Sequence, residues 1–378
     1  MNAETTTQRY TALYEEHQKL GASFTDFGGW QMPLKYSSEL AEHHAVRKAA
    51  GLFDLSHMGE VWVTGPDAAK FLDYALVGKL SAIAVGKAKY SLICNQDGGI
   101  IDDLISYRRG DDRYLVVPNA GNADAVFEAM TERAKDFDVT VENATAATSL
   151  VAVQGPNSVD ILHKLVPAAE AGVVSDMKYY AAEDVTFTVG GAPAKLLLAR
   201  TGYTGEDGFE IYVPNEQAAA LWTALLEAGK EHGLVPAGLA CRDSLRLEAG
   251  MPLYGNELSL EVSPYDAGLG PVVALKKEGE FVGRAALEAQ KEKGSARKLV
   301  GLKGLGRRAG RAHYPVLKDG KTVGEVTSGQ PSPTLGYPVA LAYVDAEFAE
   351  PGTKLDIDLR GKAEPFEVVG LPFYKREK

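Results

Sequence analysis

The sequence predicts an α+β protein. Two related α/β units, each a ferredoxin-like layer of helices on an antiparallel sheet, precede a C-terminal all-β domain, a small barrel or jelly roll. Three observations carry this reading. The stretch VWVTGPDAAKFL at 61–72 recurs as VAVQGPNSVDIL at 151–162. A second pair, YLVVPN at 114–119 and EIYVPN at 210–215, follows in the same order. Beyond about residue 280 the pattern changes to short strand-like segments cut by Gly, Pro and Asp-Gly turns. The units are placed at 1–145, 146–279 and 280–378.

In both copies of the first repeat, alternating valines (Val61 and Val63, Val151 and Val153) read as a strand and Gly-Pro as a turn. Asp67 or Asn157 then stands near the start of a helix. In DGGIIDDLISY (97–107), Gly98 and Gly99 turn the chain into an apolar strand bearing two acids. With a period of two, Asp102 shares a face with Ile100 and Leu104, and Asp103 with Ile101 and Ile105. The two acids therefore point to opposite sides, which argues against a carboxylate pair sharing one proton. A single carboxylate on an apolar face needs hydrogen bonds or a partner. A wet sheet edge, backbone N–H donors and a functional pocket all remain open for this pair.

The second repeat ends each unit with a strand, Pro-Asn and a helix, NADAVFEAMTERA in one and EQAAALWTALLEAG, closed by Gly229, in the other. RTGYTGEDGFEIYVP (200–214) sets a glycine-rich turn carrying Tyr203 before a strand. There Glu210 and Tyr212 share a face opposite Phe209, Ile211 and Val213. Glu210 is either solvated on an open sheet or turned into a pocket. AGLACRDSLRLEAGMPLYGNEL (237–258) reads as a helix stopped by Gly250. Its Arg242 and Arg246 lie one turn apart, with Asp243 and Glu248 as possible partners: a salt-bridge network, or an anchor for an anionic ligand. KKEGEFVGRAALEAQKEKGSARK (276–298) is expected to be a short helix on an exposed linker. LKDGKTVGEV is a hairpin turning at Asp319-Gly320.

Composition excludes several functions. A net charge of −11 over 378 residues argues against nucleic acid. No run of about 18 apolar residues is present to span a membrane, and the start lacks the basic and apolar segments of a secretory signal. Cys94 and Cys241 have neither disulfide-framework nor metal-ligand spacing, so a reducing cytoplasm is expected. His43, His44 and His57 lack a zinc pattern or a nucleophile motif and read as structural. No phosphate-binding glycine loop appears, which argues against ATP or NAD chemistry. From Lys276 to Lys321, thirteen basic residues face five acidic ones, a balance of +8, leaving −19 for the remainder. This is a solvated face or a docking surface for an anionic partner.

DFGGWQMPLKY, GLFDLSHMGE, GGIIDDLI, RTGYTGEDGFEIYVP, RDSLRLEAGMPLYGNEL and VTSGQPSPTLG together resemble the T-protein family of the glycine cleavage system. These are tetrahydrofolate-dependent aminomethyltransferases, and the resemblance runs in order from near residue 10 to the C-terminus. It implies a three-domain ring with folate in a central channel. It also implies transfer of the aminomethyl carbon from lipoylated H-protein to tetrahydrofolate, releasing ammonia. By this resemblance Asp102 is the catalytic carboxylate. Tyr203 and Glu210 contact folate, the glutamate at the pterin. Arg242 meets the glutamyl tail, and Met58, Tyr90 and Asn119 line the pocket. No metal is implied. The expected partner is H-protein, met transiently by a monomer, with Lys276 to Lys321 as a surface for it or for a polyglutamate tail. The alternatives are a tetrahydrofolate-dependent demethylase of another donor and a non-catalytic folate-binding iron–sulfur assembly protein. The latter's K-G-C-Y-x-G-Q-E segment is missing, RTGYTGEDG standing in its place.

Overall fold

The computed structural model describes residues 8–377. A five-stranded antiparallel sheet runs in the order Ala88–Cys94, Ile100–Arg108, Arg113–Pro118, Val61–Thr64, Thr140–Asn143. Helices Ala68–Ala75 and Ala123–Arg133 join its core through Phe71, Leu72, Val126 and Met130, packed with Val61, Val63 and Val116. Without the edge strand Ala88–Cys94, this is the β-α-β-β-α-β order of a ferredoxin-like unit.

The second sheet has six strands, ordered Ala182–Val189, Ala192–Ala199, Gly208–Pro214, Thr148–Gln154, Ala50–Asp54, Leu234–Pro236. The same topology returns, with helices Ser158–His163 and Asn215–Gly229. The repeated Gly-Pro turns match in conformation, with φ of +132° at Gly65 and +138° at Gly155. A Cβ there would lie 2.4 Å from the Asp138 carbonyl oxygen in one copy and 2.5 Å from that of Ala49 in the other. Glycine is therefore required by conformation and by space in both units.

The boundary expected at residue 145 does not partition the chain. Strand Ala50–Asp54 enters the second sheet, antiparallel to Thr148–Gln154 and parallel to Leu234–Pro236. Residues before it follow: Leu13 lies in the second unit's core, and Glu42 accepts the Gly238 N–H at 2.9 Å. The physical reason is burial. All five residues of AGLFD are buried, and such a strand is accommodated between two others, whichever part of the chain supplies them.

The linker helix forms at Arg284–Lys293 but is anchored, with Leu287 buried and Gln290 Nε2 donating to the Asp97 carbonyl at 3.0 Å. The C-terminal strands make one closed barrel, ordered Arg297–Gly304, Pro338–Asp345, Lys321–Pro331, Pro315–Lys318, Lys354–Asp358, Ala363–Val369. The last strand pairs back onto the first, which closes the barrel. Asp319 and Gly320 both have positive φ, 49° and 77°, as a tight hairpin turn requires. Arg246 ties the barrel to the second unit through Ser328, and Tyr254 ties the connecting loop to the Ile100 carbonyl. The three parts thus close around a central cavity.

Candidate active site

That cavity measures about 680 Å³, within the range of small-molecule sites. Its walls come from the facing sides of both sheets, helix Leu239–Glu248, the Thr25–Phe27 stretch and, from the barrel, Gln330. Met58, Tyr90, Asn119, Tyr203, Glu210 and Arg242 all line it.

Asp102, which the resemblance implies to be the catalytic carboxylate, does not: the carboxylate at the wall is Asp103. Alternation correctly allows only one of the two to face inward, but the helices decide which. Leu104 faces the helix-covered core, whereas Ile105 and Tyr107 face the second sheet and the cavity. Asp103 lies on the latter side. Its Oδ2 accepts the Tyr90 hydroxyl at 3.0 Å and its Oδ1 the Asn119 Nδ2 at 2.8 Å. Asp102, fully buried, accepts the Asn119 backbone N–H at 2.8 Å on Oδ2. Its Oδ1 accepts Asn119 Nδ2 at 2.9 Å and Asn122 Nδ2 at 2.7 Å. Burial pushes both carboxyls up, Asp102 to about 8 and Asp103 to about 6, and the Asp103 charge adds to the Asp102 shift.

Glu210 stands on strand Gly208–Pro214, opposite Ala152 and Ala199. The alternation holds: Phe209, Ile211 and Val213 enter the hydrophobic core, while Glu210 and Tyr212 face the cavity. Glu210 Oε2 accepts Thr201 Oγ1 at 2.5 Å and the Tyr107 hydroxyl at 3.5 Å. Burial raises its pKa; these hydrogen bonds and the Arg242 charge oppose the rise.

The two arginines one turn apart behave differently. Arg246 binds Asp243, Glu257, the Met251 carbonyl and Ser328. Arg242 stacks on Tyr203, its guanidinium carbon 4.7 Å from the ring centroid, and its buried Nη1 has no partner. A buried unpaired donor costs free energy, and an anionic or carbonyl group of a ligand would satisfy it. Glu248, expected beside these arginines, pairs instead with Arg47 at 2.7 Å. Tyr203 donates to the Pro252 carbonyl at 2.5 Å, which orients its ring.

His57 is a residue that sequence reasoning missed. Expected to be structural, it lines the cavity edge-on to Phe27, 5.5 Å between centroids, with Nδ1 unpartnered. Burial lowers its pKa to about 4, so the ring is neutral at pH 7. It sits where the chain crosses from strand Ala50–Asp54 in one sheet to Val61–Thr64 in the other. No local motif marks that crossing. His43 is structural, bonded to Ser244 at 2.6 Å and Thr334 at 2.8 Å.

Within the basic stretch, Lys277 is buried and donates to the Leu76 and Gly78 carbonyls at 2.6 and 2.8 Å. Arg297 and Arg308 pair with Asp345 and Glu364. Arg307, Lys291, Lys293 and Lys298 are exposed. Among the described residues no group of three His, Cys, Asp or Glu side chains could hold a metal ion, and no helix is long and apolar enough to cross a membrane.

Residues 13–277 match the family described as the GCVT N-terminal domain, and residues 297–375 the glycine cleavage T-protein C-terminal barrel domain. The aminomethyltransferase of Streptomyces avermitilis is 58% identical, with 98% of each chain covered. That of Corynebacterium jeikeium is 56% identical, covering 97% of this chain and 98% of its own. Among solved structures, glycine cleavage system aminomethyltransferase T from Bartonella henselae superposes with a TM-score of 0.89 at 38% identity, over 97% of this chain and 98% of that one. With family matches over both the cavity-bearing units and the barrel, and relatives of this identity along nearly the whole length, the chain belongs to the glycine cleavage T-protein family and is an aminomethyltransferase.

Proposed function

We propose that the cavity binds tetrahydrofolate between two walls with different tasks, Glu210 and Arg242 for recognition and Asp103 for the transfer itself. The observation that carries this is one cavity lined by a half-buried carboxylate, Asp103, on the first sheet, by Glu210 on the second, and by Arg242 of helix Leu239–Glu248 with an unpartnered Nη1. Its volume and its tyrosine, histidine and methionine lining suit a flat heteroaromatic ring with a polar edge. Glu210 accepts from ring N–H donors, and Arg242 Nη1 donates to a carboxylate or carbonyl of the ligand.

Tetrahydrofolate supplies two nucleophilic nitrogens for the incoming carbon. In the net reaction the carbon loses its bonds to the lipoyl sulfur and to the amino nitrogen and gains two bonds to folate nitrogens. The two protons displaced from those nitrogens go to sulfur and to departing ammonia. Positive charge develops at the carbon as its first bond breaks. Asp103, ionised above about pH 6, is placed to stabilise that charge without moving, because Tyr90 and Asn119 hold it.

The donor proposed is the aminomethyl-lipoyl arm of H-protein, met transiently by a monomeric enzyme in the cytoplasm. Exposed Arg307, Lys291, Lys293 and Lys298 form the docking surface for an acidic partner. Arg307→Glu together with Arg308→Glu should weaken H-protein affinity, and rising salt should weaken the wild-type complex; affinity indifferent to both would remove this surface from consideration. The reaction is tested by single-turnover formation of methylenetetrahydrofolate and ammonia from aminomethylated H-protein. Product in wild type, with a large loss in Asp103→Asn and folate binding retained, is expected. Tight folate binding with no product would reject the assignment.

A further inference from the structure

Asp102 lies outside the cavity, yet its carboxyl group is tied to the carboxyl that faces the cavity. Asn119 follows strand Arg113–Pro118, whose Pro118 pairs with Leu104 on the acid-bearing strand. From there its side-chain amide reaches around the strand edge to both acids. Asn119 Nδ2 lies 2.9 Å from Asp102 Oδ1, 2.8 Å from Asp103 Oδ1 and 2.9 Å from the Asp103 carbonyl oxygen. An amide nitrogen has two hydrogens, so three acceptors compete for them. Two side chains on opposite faces of a strand therefore meet at one donor group, a connection that strand periodicity does not reveal.

Asp102 accepts on both oxygens, from the Asn119 backbone N–H on one and from the Asn119 and Asn122 amides on the other, so it holds the loop and the shared amide together. We propose that Asp102 is a positioning residue of the transfer reaction: through the shared Asn119 amide it orients Asp103 toward the cavity and sets the charge Asp103 presents there. This rests on the reading of Asp103 given above.

The groups facing the pair leave it the dominant titration near neutral pH. Tyr90 and Tyr203 are pushed up by burial, and Tyr254 to about 12. Tyr180, further off, is raised as well. Glu257, whose charge reaches Asp103, is held by Arg246 and by the Leu253 N–H. The steps near 6 and 8 belong to the pair as a unit. Between them the pair as a whole carries one proton and one negative charge; above the upper step, two like charges face the amide.

The test follows the carboxyl 13C signal of Asp103 in the full chain without substrate, assigned by its absence from Asp103→Asn, beside the pH profile of the single-turnover rate. In wild type the signal should move in two steps. In Asp102→Asn the upper step should disappear from both signal and rate profile, with the lower step kept and folate affinity unchanged. A one-step Asp103 signal that superimposes in wild type and Asp102→Asn overturns the proposal. Should Asp102→Asn not fold, Asn122→Ala removes one donor from Asp102 without touching Asp103. The upper step should then rise by up to about one pH unit, and an unmoved step overturns the proposal equally. Loss of the aminomethyl-transfer reading with the two-step signal intact would sink the function and leave the coupling standing.

Discussion

Each cavity wall carries one carboxyl group from a sheet of the same topology, and the two are held in opposite electrostatic company. Asp103 on the first sheet neighbours a second carboxyl through Asn119, with no guanidinium among its hydrogen-bond partners. Glu210 on the second has Thr201 and Tyr107 as donors and Arg242 as a nearby positive charge. A like charge beside a carboxyl adds to the rise that burial causes, and a cation opposes it, so the two carboxyls differ in what their neighbours do to their protons. The shared topology places the two carboxyls on different strands, Asp103 on Ile100–Arg108 and Glu210 on Gly208–Pro214, the counterpart of Arg113–Pro118, so the proposed division of roles comes from their neighbours rather than from equivalent positions.

The sharpest way to break this comparison is to neutralise each wall in turn. Asp103→Asn should lower the single-turnover rate by roughly 10²–10³, the usual worth of one preorganised electrostatic contact at a transition state, while folate affinity changes little. A variant that loses binding and rate equally would move Asp103 to the recognition side. Glu210→Gln and Arg242→Ala should do the reverse. Each should weaken folate binding by about 1.5–3 kcal/mol, as expected for a charged hydrogen bond, measured by calorimetry, with a smaller change in rate at saturating folate.

The pH profile sharpens the division further. If Asp103 acts as a carboxylate, the rate falls as pH drops through about 6, by about tenfold per unit below that value. A role as proton donor requires the opposite sign, with the rate rising in acid. Folate binding at the Glu210 wall should show its own acid limb, absent from Glu210→Gln. The smallest effect is expected at Thr201→Val. Loss of one hydrogen bond to Glu210 costs about 1 kcal/mol, seen as a several-fold weaker folate affinity with the Asp103 limb in place.

Much of the architecture is legible in the order and spacing of the residues. The Gly-Pro repeat locates both units because its glycines need a backbone that other residues adopt only with strain. Alternation places Glu210 and Tyr212 together and opposite a core face, and the Asp-Gly hairpin falls where expected. Six residues named from the family resemblance line one cavity. Three features are not legible in this way. Strand Ala50–Asp54 joins a sheet whose other strands begin nearly a hundred residues later. His57 lines the cavity only because of that crossing. Asp102 and Asp103 can be assigned to opposite faces, but not to inside and outside.

The sequence by itself determined the periodic and steric features: where strands alternate, where glycine is obligatory, and which arginines, acids and tyrosines were available to the site. These follow from interactions between near neighbours along the chain, for which spacing is a direct record. Only the tertiary structure decided that Asp103 faces the cavity, that Arg246 is paired while Arg242 keeps a free donor, and that one Asn119 amide spans both acids. Those outcomes depend on which sheet face the helices cover and on partners brought from distant segments. Burial and electrostatic company are properties of the packed molecule, and local sequence spacing does not encode them.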